Sequence, residues 1–163
     1  MGAMVMAGVG IGTGVAWSIV DTSTGTFTEQ QQYASNTNNQ TINVAGWVDV
    51  AGMATSVTIP AGTTRMFDAR FTAEVQCPGP GWCAARIVYQ KSDVGAPTEM
   101  EPAAGTEFAF GASDGFEANA MERHSKDFLP AGTYRVWVQA SLQVGATSLW
   151  IDDTHLTVGV IRP

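Results

Sequence analysis

At 163 residues the chain is long enough for one domain with a buried core. With 14% charged residues, 45% hydrophobic residues and 18 glycines it has the profile of a turn-rich all-β protein, and too much apolar content for a disordered one. A net charge of −7 leaves no basic stripe of the kind that a nucleic-acid backbone or an anionic membrane surface requires.

Residues 1–20 carry no charge and are rich in glycine. The favoured reading is the apolar part of an export signal, with Gly14 and Ala16 placed for cleavage. A membrane segment and a Gly-rich first strand presenting Val15, Trp17 and Ile19 are the alternatives. Residues 21–41 are polar, with Phe27 and Tyr33 as their only anchors, and read as a linker or a loosely held first strand. The β domain is therefore expected over residues 42–163. Strands are expected over Ile42–Val50, which contains Trp47, and over Thr55–Ile59.

A segment used twice follows. Ile59-Pro60-Ala61-Gly62-Thr63-Thr64-Arg65 returns 70 residues later as Leu129-Pro130-Ala131-Gly132-Thr133-Tyr134-Arg135. In each copy Pro fixes one turn corner and Gly supplies a corner with positive φ, so each is expected to make a tight turn ahead of a long strand. After the first copy, Phe67, Ala69, Phe71, Ala73 and Val75 share one face, while Asp68, Arg70, Thr72 and Glu74 share the other. After the second, Tyr134, Val136, Val138, Ala140, Leu142 and Val144 form the inner face, and Arg135, Trp137, Gln139, Ser141 and Gln143 the outer one.

Between the copies lies Cys77-Pro78-Gly79-Pro80-Gly81-Trp82-Cys83. Its Pro/Gly spacer bends enough to bring both sulfurs together, so a Cys77–Cys83 disulfide is expected at a hairpin tip whose return strand runs through Ala85, Ile87 and Tyr89. Such a bond points to an oxidising compartment, hence to a secreted or cell-surface protein. Phe108 and Phe110 lie on a short strand. Residues 116–128 are ambiguous between helix and strand, and the surrounding pattern selects strand. The last run changes phase between Ile151 and Leu156, which a bulge near Asp152-Asp153 repairs.

No catalytic motif stands out. His124 and His155 lack the further His and Glu of a metal oxygenase site. The carboxylate pairs Asp152/Asp153, Glu99/Glu101 and Glu117/Glu122 are candidates for a glycosidase acid and base, although solvated strand carboxylates are far commoner. Asp152 and Asp153 are also the one calcium candidate; otherwise no cofactor is expected. The better lead is aromatic. Trp82 sits in the Pro/Gly tip and Trp137 on the outer face of the most regular strand, where an exposed indole gains from meeting a sugar ring or a protein. A covering segment or subunit is the bland alternative for Trp137.

Several stretches carry a resemblance: Thr58-Ile59-Pro60-Ala61-Gly62-Thr63, Ala69-Arg70-Phe71-Thr72-Ala73-Glu74, Gly81-Trp82-Cys83, Phe108-Ala109-Phe110, Met121-Glu122-Arg123 and Ile151-Asp152-Asp153-Thr154-His155-Leu156-Thr157-Val158. From about Trp47 onward the chain resembles a recurrent exported domain of high-GC Gram-positive bacteria. That resemblance implies export and a β-sandwich and carries no catalytic residue. In strand pattern alone the chain is also similar to trimeric jelly-roll heads of the C1q and tumour-necrosis-factor type. The fold expected is thus an all-β antiparallel β-sandwich of the jelly-roll kind. The function expected is a non-enzymatic extracellular binding or structural module that self-associates. A carbohydrate-binding module using Trp82 or Trp137 is the alternative, and a glycoside hydrolase the third reading. Its partners would be further copies of itself, for instance as a trimer, or an extracellular protein or glycan. A membrane would be met only through residues 1–20.

Overall fold

A computed structural model describes residues 27–92, 94–103, 109–112 and 114–162. The expectations for residues 1–20 and for Phe108 lie outside the described residues. All nine described elements are strands: β1 (Phe27–Asn36), β2 (Gln40–Ile42), β3 (Val48–Gln76), β4 (Cys83–Lys91), β5 (Thr98–Glu99), β6 (Ala109–Gly111), β7 (Glu117–His124), β8 (Leu129–Leu142) and β9 (Leu149–Arg162). Among them no helix is long and apolar enough to cross a membrane.

The strands form two antiparallel sheets that share β3. In the first, β1 and β2 pair with β9, β9 pairs with the second half of β3, and that half pairs with β7. In the second, the first half of β3 pairs with β8, β8 with β4, and β4 with β5 and β6. With β3 running through both sheets and every ladder antiparallel, the molecule is an antiparallel β-sandwich of the jelly-roll kind. Its edge is closed by β7, where His124 exchanges two backbone hydrogen bonds with Glu101 at 2.7 Å.

Period 2 decides what lies between the sheets. Phe67, Ala69, Phe71, Ala73 and Val75 of β3 face Val136, Val138 and Ala140 of β8 across one continuous core. Phe67 packs edge-on to Tyr134, with ring centres 5.4 Å apart, and Phe71 stacks on Phe110 at 5.3 Å. Each such side chain contributes about 1.5–3 kcal/mol by leaving water. The outward expectation for Arg70 also holds, and Gln139 is half-buried on its outer face. Residues 117–124 are a strand, as the surrounding pattern indicated. The bulge is where the phase change required it: register passes from Thr72↔His155 to Glu74↔Asp152, and Asp153 takes a φ of 44°.

Four expectations are corrected. Of the two readings of residues 21–41, the linker gives way to the first strand over Phe27–Asn36, where nine residues pair with β9. Its half-buried positions Gln32, Ala34 and Asn36 are mostly polar, so burial left little trace in the sequence. The domain therefore begins ahead of residue 42. The first Pro-Ala-Gly does not separate two strands; β3 continues through it as it crosses between sheets, with Pro60–Thr63 bulging opposite Ala131 between the pairs Ile59↔Gly132 and Thr64↔Pro130. The two copies thus lie side by side. Cys77 and Cys83 do not cap a hairpin, because β4 pairs with β8 rather than with β3. Val144, assigned to the inner face, lies past the end of β8 in a turn made by Gly145 (φ 90°) and is 93% exposed.

Candidate functional site

The end of the sandwich that holds the cysteines is built from three loops. The Cys77–Cys83 disulfide, with Cα atoms 6.0 Å apart, ties the end of β3 in one sheet to the start of β4 in the other. The loop between them lies against residues 143–147. Gln143 N donates to Trp82 O at 3.0 Å, and Thr147 donates to Pro78 O from N at 3.1 Å and from Oγ1 at 3.2 Å. Only glycine permits this approach, because a Cβ on Gly81 would fall 2.2 Å from Val144 O. Asp114 of the third loop accepts from Gly79 N through Oδ1 at 2.9 Å, and its carbonyl accepts from Gln76 Nε2.

Apolar side chains project from this fixed backbone. Val144 stands almost fully in solvent, and Phe116 is 60% exposed with its ring edge-on to Trp150 at 4.9 Å. Trp82, in the loop between the cysteines, is half-buried. A contact surface of this kind needs no catalytic group; it needs exposed apolar area and little freedom to lose on contact. Sequence reasoning reached Trp82 but missed Val144, Phe116 and Trp150. The Gly145 turn was the signal that β8 had ended.

Trp137 is different from what its position suggested. It occupies the outer face of β8, yet it is only 3% exposed. Its Nε1 donates to Asp49 Oδ1 at 2.9 Å, and the Arg135 guanidinium covers its ring at 4.3 Å. Asp49 also accepts from Gln139 Nε2 at 2.9 Å and from Arg135 at 3.0 Å. Next to it, Arg86 stacks over Trp47 at 4.2 Å and donates to Gln139 Oε1. Burial works to raise the Asp49 pKa, but hydrogen bonds from Gln139, Trp137 and Arg135, with the Arg135 charge, outweigh it and hold the carboxyl below its ordinary value. The neighbours of Trp137 on its own sheet have covered it, so it offers no open platform.

The remaining candidates do not converge. Glu117 and Glu122 take opposite faces of β7, and Glu117 Oε1 accepts from Ala112 N at 3.1 Å. Glu99 pairs with Arg86 at 3.6 Å, and Glu101 accepts from Ala103 N. His124 lies on β7 and His155 on β9, where its Nε2 meets Thr157 Oγ1 at 3.0 Å. Asp152 Oδ1 accepts from Asp153 N at 2.8 Å within the bulge. Among the described residues no three His, Cys, Asp or Glu side chains gather as metal ligands.

No family model and no curated protein matches the sequence. Among solved structures the chain is similar to a chain of infectious bursal disease virus, Gt strain, at 10% identity and a TM-score of 0.48; the match covers 80% of this chain and 32% of the viral one. It is similar to TmCBM61 in complex with β-1,4-galactotriose at 12% identity and a TM-score of 0.31, covering 79% and 88%. It is also similar to Eiger TNF from S. frugiperda, at 8% identity and a TM-score of 0.36, covering 79% and 91%.

Proposed function

We propose that this protein is a non-enzymatic binding module of the extracellular space that self-associates through its disulfide-locked end and works without a cofactor. The observation that carries the reading is Val144 and Phe116 held in solvent on a backbone that a disulfide and a Gly81 close approach keep fixed. Apolar groups already immobilised lose little entropy when covered, so their burial is retained as affinity. A net charge of −7 makes copies repel over most of their surface, which concentrates favourable contact at the apolar end. The disulfide supports secretion, because such bonds persist in oxidising compartments. In this reading Asp152 and Asp153 shape a bulge and hold no calcium.

Sedimentation equilibrium tests the proposal. Val144→Asp and Phe116→Ser change exposed positions and should leave the fold intact. The parent should associate, and each variant should weaken association by about tenfold or more, the equivalent of about 1.4 kcal/mol. Trp82→Ala should weaken it less. A parent that stays monomeric at concentrations up to about 1 mM would overturn the reading. So would variants that assemble like the parent, or turnover of glycosides, esters or peptides.

A further inference from the structure

The outer face of the first sheet holds a feature independent of the apolar end. Its centre is Gly159 of β9, which pairs with Gln31 of β1 on one side and Asp68 of β3 on the other. Having no side chain, Gly159 leaves a gap in the row, and the gap is a pit of about 230 Å³ walled by Gln31, Asp68, Arg70, Glu122 and Thr157. At about 30 Å³ per water molecule, that is space for roughly seven waters or one sugar ring. One step along β3 and β7, the small side chains of Ala118 and Ala120 leave a second hollow of about 460 Å³ beside Thr72 and Asp153. From Asp68 to Glu74 the two hollows follow β3 for about 20 Å.

We infer that this trough binds a neutral oligosaccharide. Each sugar hydroxyl both donates and accepts, and the pit offers both partners: the Asp68 and Glu122 carboxylates accept, and the Arg70 guanidinium and the Gln31 amide NH2 donate. The Thr157 hydroxyl keeps capacity beside its contact with His155 Nε2, while Gln31 Oε1 accepts from the Tyr33 hydroxyl. Arg70 lies opposite Glu122 across the ladder, yet among the described residues it makes no ion pair or hydrogen bond, so its donors are available. Two carboxylates around one guanidinium disfavour an anion, and the guanidinium disfavours a cation. An aromatic platform flanks the pit. Tyr33 is paired with Thr157, is 61% exposed, and its ring lies 6.0 Å from that of His155. Such a ring stacks on the C–H face of a sugar. A peptide is the poorer occupant: the backbone of this face is already paired within the sheet, so strand addition has no edge to use, and the pit has no apolar wall.

The test is an NMR titration of the ¹⁵N-labelled protein with cellotetraose, mannotetraose, β-1,4-galactotetraose and chitotetraose, with inorganic phosphate as a separate arm. At least one sugar should shift Gln31, Tyr33, Arg70 and Thr157 saturably, and phosphate should not. Tyr33→Ala and Arg70→Ala, each checked for an unchanged fold by circular dichroism, should weaken binding by about tenfold. Val144→Asp should bind sugar like the parent, which separates this site from the self-associating end. The inference is overturned if no sugar shifts these residues at up to about 10 mM, if the shifts map to another face, if phosphate alone binds, or if both variants bind like the parent.

Discussion

Asp49 shows how much one surface carboxylate organises. It accepts hydrogen bonds from Trp137, Gln139 and Arg135, three consecutive outer positions of β8. Replacing it by Ala leaves a buried indole N–H without a partner, and we expect a loss of about 1–3 kcal/mol in denaturant unfolding. The pH dependence follows from its depressed pKa. A lowered folded value means stability that is fully present above the ordinary 3.8 and is lost as pH falls through the lowered value. The melting temperature of the parent should therefore fall towards that of Asp49→Asn only in acid below about pH 3.8. Asp68 carries the opposite sign: burial first and Glu122 second push its pKa up, against the pull of His124. Asp68→Asn should be more stable than the parent at neutral pH and lose that advantage below 3.8. Failure of either variant to change the acid limb would contradict these assignments. Of these residues the sequence revealed the facing but not the covering. Parity put Trp137 outside correctly, whereas Asp49 lies 88 positions away and nothing in the local pattern marks it as a partner.

Among the elements, the Cys77–Cys83 loop has the largest disproportion between size and effect. A loop this short constrains the unfolded chain modestly, so Cys77→Ala with Cys83→Ala should cost about 2 kcal/mol in unfolding free energy. Yet the bond ties the two sheets together at the apolar end, so hydrogen exchange in residues 78–82 and 143–147 should rise more than in the β8 core. Uniform acceleration across all strands would contradict that placement. The strands themselves were legible wherever hydrophobic period 2 was strong, as in the second half of β3 and in β8. The bulge at Asp153 was legible as a change of phase. Strand partners were not, since a hairpin and a crossover between sheets share the same local signature; hence β4 looked like the return strand of β3. β1 was legible only as one of two readings, because an edge strand with polar side chains needs only a backbone partner, which leaves no mark on composition.

At the scale of the whole molecule, charge and apolar contact oppose one another. Copies carrying −7 repel, and added salt screens that repulsion while leaving apolar burial in place. Self-association should therefore strengthen with ionic strength in sedimentation experiments; weakening would indicate an interface held by ion pairs instead. The fold class was readable from turn spacing and alternation, but the apolar end and the polar trough were not. Both are assembled from residues that become neighbours only when the sheets close. That closure has an order in time. β9 lies between β1 and β3, so an interior strand of the first sheet follows every other described strand in the chain. Until it emerges, β1 has no partner and the second half of β3 lacks its ladder neighbour on one side. The first sheet can therefore close only once β9 is present, whereas the strands of the second sheet, β3, β8, β4, β5 and β6, all precede β9 and can pair without it.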